Sequence, residues 1–240
     1  MIALFRLHTY YLFNQKTQRM MIILCGLTAV VLGVLSGVFT ERYLYIDYTT
    51  YFFEYRLESL TFLQFCAFAL SFYVTMQLFY FKPYDTLLVQ LKPKTIILLS
   101  KALVAWLVVN VYWFYAVLTM VTFGLISGFT FTLKDITSLL ANGVVLNGHY
   151  LLLYLLCAHF IKHILGLFVP LFGWFAKGII FDMHTTVTQN TFLHQLIHTL
   201  FLSFSVPLQG QVRLTLSPMG FLIFVLVSLL LVTASKKKTL

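Results

Sequence analysis

Long uncharged apolar runs alternate along the chain with short polar or charged breaks. Met20–Thr40 is free of charge and stops at Glu41-Arg42, and Ser59–Phe81 is a second such run. Ala102–Phe131, Ile136–Ile161 and Ile164 to about Phe181 follow, the last broken by Gly166, Pro170 and Gly173 and carrying Lys177. Leu214–Ser235 is the final run, closed by Lys236-Lys237-Lys238. A hydrocarbon core roughly 30 Å thick is crossed by about 20 helical residues, and uncharged runs of that length read as transmembrane helices. Every backbone polar group in lipid must be paired internally, which makes helices the expected spanning element. A barrel would need alternating positions, and these runs do not alternate. The pattern therefore predicts an all-α integral membrane protein of one transmembrane domain, with spans at about 20–40, 59–81, 102–128, 137–161, 164–181 and 214–235.

The segments between the runs refine this picture. Met1–Arg19 mixes Phe5, Leu7, Tyr10, Tyr11, Leu12 and Phe13 with Arg6, His8, Lys16 and Arg19, a pattern that predicts an amphipathic helix lying in the membrane interface. The apolar run after it is too long, and lacks a clear small-residue cleavage site, for a secretory signal. Glu41–Glu58 is acidic and rich in tyrosine and phenylalanine, as expected of an aromatic belt or a short surface helix. Phe192–Leu208 is apolar enough to cross, but it contains His194, Gln195 and His198 and follows a polar stretch from Thr185 to Thr191.

Charge settles the expected count. The composition is 60% hydrophobic and 10% charged, with a mean hydropathy of +0.92, whereas soluble domains carry about 25% charged residues. In a soluble protein the net charge of +9 would suggest nucleic acid; here basic residues mark cytoplasmic loops, and no nucleic-acid partner is expected. Six spans with an interior N-terminus place Arg6, Lys16, Arg19, Lys82, Lys92, Lys94, Lys101, Lys162 and Lys236–Lys238 inside, eleven of the sixteen basic residues. A seventh span at Phe192–Leu208 would put the lysine triplet outside. That stretch is therefore expected to be a re-entrant or surface helical region between spans 5 and 6, with both termini cytoplasmic. Cys25, Cys66 and Cys157 fall in separate runs without CxxC spacing, which indicates neither a disulfide framework nor a zinc site.

Lys82–Lys101 is the largest interior connection of this topology. Pro83 ends span 2, Asp85 is placed to cap a helix, and Thr86–Leu91 would form a short one, stopped ahead of Pro93. Leu87, Leu88 and Leu91 would give it an apolar edge, with Gln90 and Lys92 as polar partners. Such a segment serves either as a docking helix or as a basic loop held at lipid headgroups. Leu87-Leu88, then Pro93, then Lys101 opening the next span resembles the loop between spans 2 and 3 of ABC-2-type transporter permeases. The wider plan of an amphipathic first helix, six spans and a re-entrant region is similar to that family over the whole chain. The resemblance implies a coupling helix at Tyr84, Asp85, Thr86, Leu87, Leu88, Gln90 and Leu91 that contacts a separate ABC ATPase subunit. It also implies a dimer with a second permease copy and export of an amphipathic substrate. Family members often carry an acidic residue near this helix, and here Asp85 alone is available. No GxxxxGK[ST] pattern occurs, so ATP and Mg are expected on the partner and no cofactor or catalytic residue in this chain.

Polar residues inside spans are costly in lipid and usually face the bundle interior. On a helical wheel Ser71 and Thr75 each fall within about 20° of Gln64, with Phe68 alongside. Span 3 adds Asn110, and span 4 adds Asn142, Asn147 and His149. Gln64, Phe68, Ser71, Thr75, Asn110 and Asn147 are the candidate substrate path; interhelical hydrogen bonding is the simpler use of the same residues. Gly33-xxx-Gly37 and Gly124-xxx-Gly128 have the spacing of close helix packing. A competing function is an intramembrane enzyme or a haem or metal protein using His159/His163 or His194/His198, each pair four residues apart. Neither pair has an accompanying carboxylate, and HExxH is absent. A third possibility is an anchor with no transport role. The expected cargo is a hydrophobic peptide such as a bacteriocin, lantibiotic or phenol-soluble modulin, or else a lipid or drug.

Overall fold

The computed structural model describes residues 2–43, 48–79, 94–160, 164–173, 175, 204–205, 213–214 and 226. Five helices make up nearly all of this: α1 (Ile2–Leu12), α2 (Gln15–Tyr43), α3 (Tyr48–Phe79), α4 (Lys94–Ile126) and α5 (Leu133–Phe160). Among the described residues, four helices are long and apolar enough to cross a membrane: Lys16–Glu41, Thr50–Phe79, Ile96–Ile126 and Leu133–Ala158. These match the first four predicted spans. A 3₁₀ turn, Ile164–Leu167, continues into helix over 168–173, inside the predicted fifth span. Around the junction of the predicted spans 5 and 6 the described residues are extended: Phe204–Ser205 pairs antiparallel with Arg213–Leu214, where helix was expected up to 208 and a span from 214. Apart from residue 226, the rest of that region and of the predicted sixth span lies outside the described residues.

Helix ends follow local chemistry. Thr9 O accepts from Phe13 N at the close of α1, and Asn14 Oδ1 accepts from Thr17 N at 2.9 Å, so the amphipathic segment breaks at Phe13-Asn14. Lys16 and Arg19 thus stand in the first turns of α2 and not in an interfacial helix. Leu4, His8 and Leu12 form the buried face of α1, which docks on α4 and α3. α4 ends in a Schellman motif: Phe129 N donates to Gly124 O, Gly128 N donates to Leu125 O, and Gly128 takes a φ of 82°. Gly128 is therefore a cap residue and does not serve as half of a packing motif. At the start of α5, Thr132 and Asp135 cap each other: Asp135 N donates to Thr132 Oγ1, while Asp135 Oδ2 accepts from Thr132 N and Oγ1.

α3 begins at Tyr48, eleven residues ahead of the predicted span. With 32 residues it is about 48 Å long and overshoots a hydrocarbon core of roughly 30 Å. The aromatic, charged stretch expected as a belt or surface helix is thus largely its opening turns. α4 packs against each of the other four helices and is the centre of the bundle. Indole, phenol and small residues set that packing. Thr28 Oγ1 lies 2.7 Å from Tyr112 Oη between α2 and α4, and Tyr55 Oη donates to Met120 O at 2.7 Å between α3 and α4. Trp106 and Trp113, seven apart on α4, donate to the α5 carbonyls of Val144 and Leu139 at 3.3 and 3.2 Å. A Cβ on Gly143 would lie on the Trp113 indole.

Candidate functional site

α3 and α5 run in the same direction, since Arg56 near the start of one meets Asp135 near the start of the other. Phe68 packs on Tyr150 and Tyr154, with ring centroids 4.9 and 5.0 Å away, and Phe72 meets Tyr154 at 5.9 Å. This register brings Gln64 within a turn of the level of Asn147, and Thr75 within a turn of Tyr154. All six candidate path residues lie in or beside this seam. Gln64, Phe68, Ser71, Thr75 and Asn147 are buried, and Asn110 reaches in from α4. Asn147 Nδ2 donates to Asn110 Oδ1 at 3.1 Å, and Asn110 Nδ2 donates to Trp106 O at 2.8 Å. Ser71 Oγ is turned back to Ala67 O at 2.8 Å.

Hydrogen-bonding capacity is left over in the seam. Among the described residues, Ser59 Oγ, Thr75 Oγ1, Asn147 Oδ1 and Tyr154 Oη are buried without a hydrogen-bond partner. Each such group costs about 1–3 kcal/mol when left unpaired, so four of them in one interface are spare capacity for a polar ligand or water. Alongside, a groove of about 330 Å³ opens between α4 and α5, lined by Leu107, Asn110, Val111, Phe114 and Val144. The Asn110 amide joins this groove to the seam through Asn147.

Buried cations stand near opposite ends of the bundle. Arg56, with its side chain 7% exposed, lies 3.5 Å from Asp135 Oδ1 and 5.1 Å from the Phe52 ring centroid. Lys101 is buried inside α4 with Nζ 5.4 Å from the Phe79 ring centroid. It does not open the third span, because α4 begins seven residues earlier at Lys94. Neither Arg56 nor the tyrosines and tryptophans of the bundle were among the expected site residues. A signal for the tryptophans was present in the sequence: Trp106, Asn110 and Trp113 share one helix face.

The coupling-helix residues Tyr84, Asp85, Thr86, Leu87, Leu88, Gln90 and Leu91 lie outside the described residues, as do His163, His194 and His198. His159 is in the last turn of α5. Among the described residues no group of three or more His, Cys, Asp or Glu could hold a metal. Compared with known family models, curated proteins and solved structures, the chain matches none.

Proposed function

We propose that the chain is the membrane subunit of an ATP-driven exporter, resident in the cell membrane and dimeric with a second permease. Its cargo is an amphipathic or hydrophobic molecule such as a peptide, a lipid or a drug. The observation that carries this reading is the α3–α4–α5 seam, a buried track of neutral amides, hydroxyls and aromatic rings through helices of membrane-spanning length. Neutral walls with spare acceptors accommodate a cargo that carries its own donors and apolar bulk. Gln64, Phe68, Ser71, Thr75, Asn110 and Asn147 would line the route, and the groove beside Asn110 would admit cargo from the bilayer. The sequence offers no phosphate-binding loop, so the driving nucleotide would sit on a separate ATPase. That partner would act by binding two conformations of this chain unequally. Its docking point would be Tyr84–Leu91, and both termini would face the cytoplasm.

Co-purification tests the reading. The chain expressed with an ABC ATPase from its own genome should bring that subunit down, and Leu88→Asp should abolish the association while leaving membrane insertion intact. Transport by the chain with no ATPase present would overturn the reading. An unchanged complex in Leu88→Asp would move the docking point elsewhere.

A further inference from the structure

We infer that the Arg56–Asp135 ion pair, with the phenylalanines of the loop between α4 and α5, is a closure over one end of the seam that opens during the transport cycle. The inference rests on the exporter reading for its purpose, but its geometry stands apart from it. Asp135 divides its oxygens: Oδ2 is committed to the start of α5 through Thr132, and Oδ1 faces Arg56. The 3.5 Å separation is long for a charge-assisted bond, which settles at about 2.7–2.9 Å. Arg56 Nε is buried with no hydrogen-bond partner among the described residues. A tie that serves only to hold helices together gains most when short and fully paired. This one is stretched and under-paired, so it holds less tightly than a short bidentate pair, and it separates at low cost where both charges reach water as the closure opens.

The rings supply the plug. Phe129 stacks on Tyr55 at 4.9 Å and on Phe52 at 5.6 Å, and Phe131 meets Phe52 edge-on at 5.2 Å. Both belong to the short non-helical link between Ile126 and Leu133, where exposed Thr130 separates them. Gly128 gives that link its left-handed turn, and Gly124 leaves room for the Phe131 ring, which a Cβ there would approach to 2.6 Å. A loop can withdraw two rings without moving a packed helix. Ser59, one turn along α3 from Arg56, is the first of the four unpartnered polar groups below the plug, and it is fully buried. Withdrawal of the rings and separation of Arg56 from Asp135 would expose it.

Cysteine accessibility decides this. In a chain with Cys25, Cys66 and Cys157 replaced, Ser59→Cys is a near-isosteric reporter for a charged, membrane-impermeant thiol reagent. Thr130→Cys fixes which membrane face carries the loop. With both charges neutral in Arg56→Gln/Asp135→Asn, no unpaired buried charge is left behind. Labelling at 59 should then rise at least about tenfold from the face that labels position 130, as it would if the closed state lost about 1.4 kcal/mol. Phe129→Ala, which leaves the ion pair intact, should raise the rate independently. Unchanged labelling in both variants, with gel filtration showing folded protein, would overturn the closure. So would a gain confined to the opposite face. Labelling of position 130 from the cytoplasm would refute the assumed topology while leaving the closure standing. No ATPase is needed for the measurement, so a failed exporter reading is distinguishable from a failed closure.

Discussion

Gly143 and Gly37 are both small residues in apolar helices, yet a methyl group added at each meets opposite surroundings. At Gly143 it would sit on the Trp113 indole, whereas at Gly37 nothing lies within 4 Å. Gly143→Ala should therefore lower stability by about 1–3 kcal/mol, the usual cost of overpacking. Gly37→Ala should raise it by roughly 0.5–1 kcal/mol, since alanine orders a helix at lower entropic cost than glycine. Unfolding in mixed detergent, monitored by circular dichroism, gives both signs in one experiment. Equal effects would mean that Gly143 is not held against the indole. The Gly33-xxx-Gly37 spacing does not show this difference, because at Gly33 the nearest atom to an added Cβ is in the Phe123 ring at 3.3 Å, while Gly37 is open.

Among the elements, the four helices long and apolar enough to span a membrane were legible in the sequence because lipid demands long uncharged runs, and the chain supplies them. The start of α3 was not. Glu54, Arg56 and Glu58 read as part of a surface connection, whereas the helix begins eleven residues ahead of the expected span and Arg56 meets Asp135 across the bundle. Partners so distant in sequence leave no local trace. The wheel position of Gln64, Ser71 and Thr75 was legible for the reason that burial of α3 follows helical spacing, and Asn110 and Asn147 were legible as amides in apolar runs. That these two amides bond to one another depends on the antiparallel register of α4 and α5, which the two indoles fix. Trp113→Phe keeps most of the ring volume and removes the donor to Leu139 O, so it should cost about 1 kcal/mol. Combined with Trp106→Phe, the loss should be close to additive, because the two indoles are two turns apart. Fluorescence-independent unfolding curves for the single and double variants would measure this. A double variant no weaker than either single one would show that the α4–α5 register is held by something else.

At the scale of the whole molecule, the number of crossings decides what the described bundle can be part of. Four crossings by the helices of spanning length would bring the chain back to the side on which it began, and the end of α5 is followed by the basic pair Lys162-His163. Two further crossings, at about 164–181 and 214–235, would return it there again, with the lysine triplet beside Lys16 and Arg19. A third, at Phe192–Leu208, would carry the triplet across. Positive residues near the ends of spans are retained in the cytoplasm, and three consecutive lysines directly after an apolar run make the C-terminus the most informative position. Reporters that fluoresce only inside the cell, fused to either end, should therefore both be bright. An enzyme active only outside the cytoplasm, fused after Leu240, should be silent. The same enzyme inserted at Thr130 should be active, because three crossings by α2, α3 and α4 would put that link on the side opposite the N-terminus. A dark C-terminal reporter paired with a bright N-terminal one would make the count odd. The histidine-bearing stretch from 192 to 208 would then be a crossing, and its His194 and His198 would lie within the bilayer, where polar side chains are kept for function.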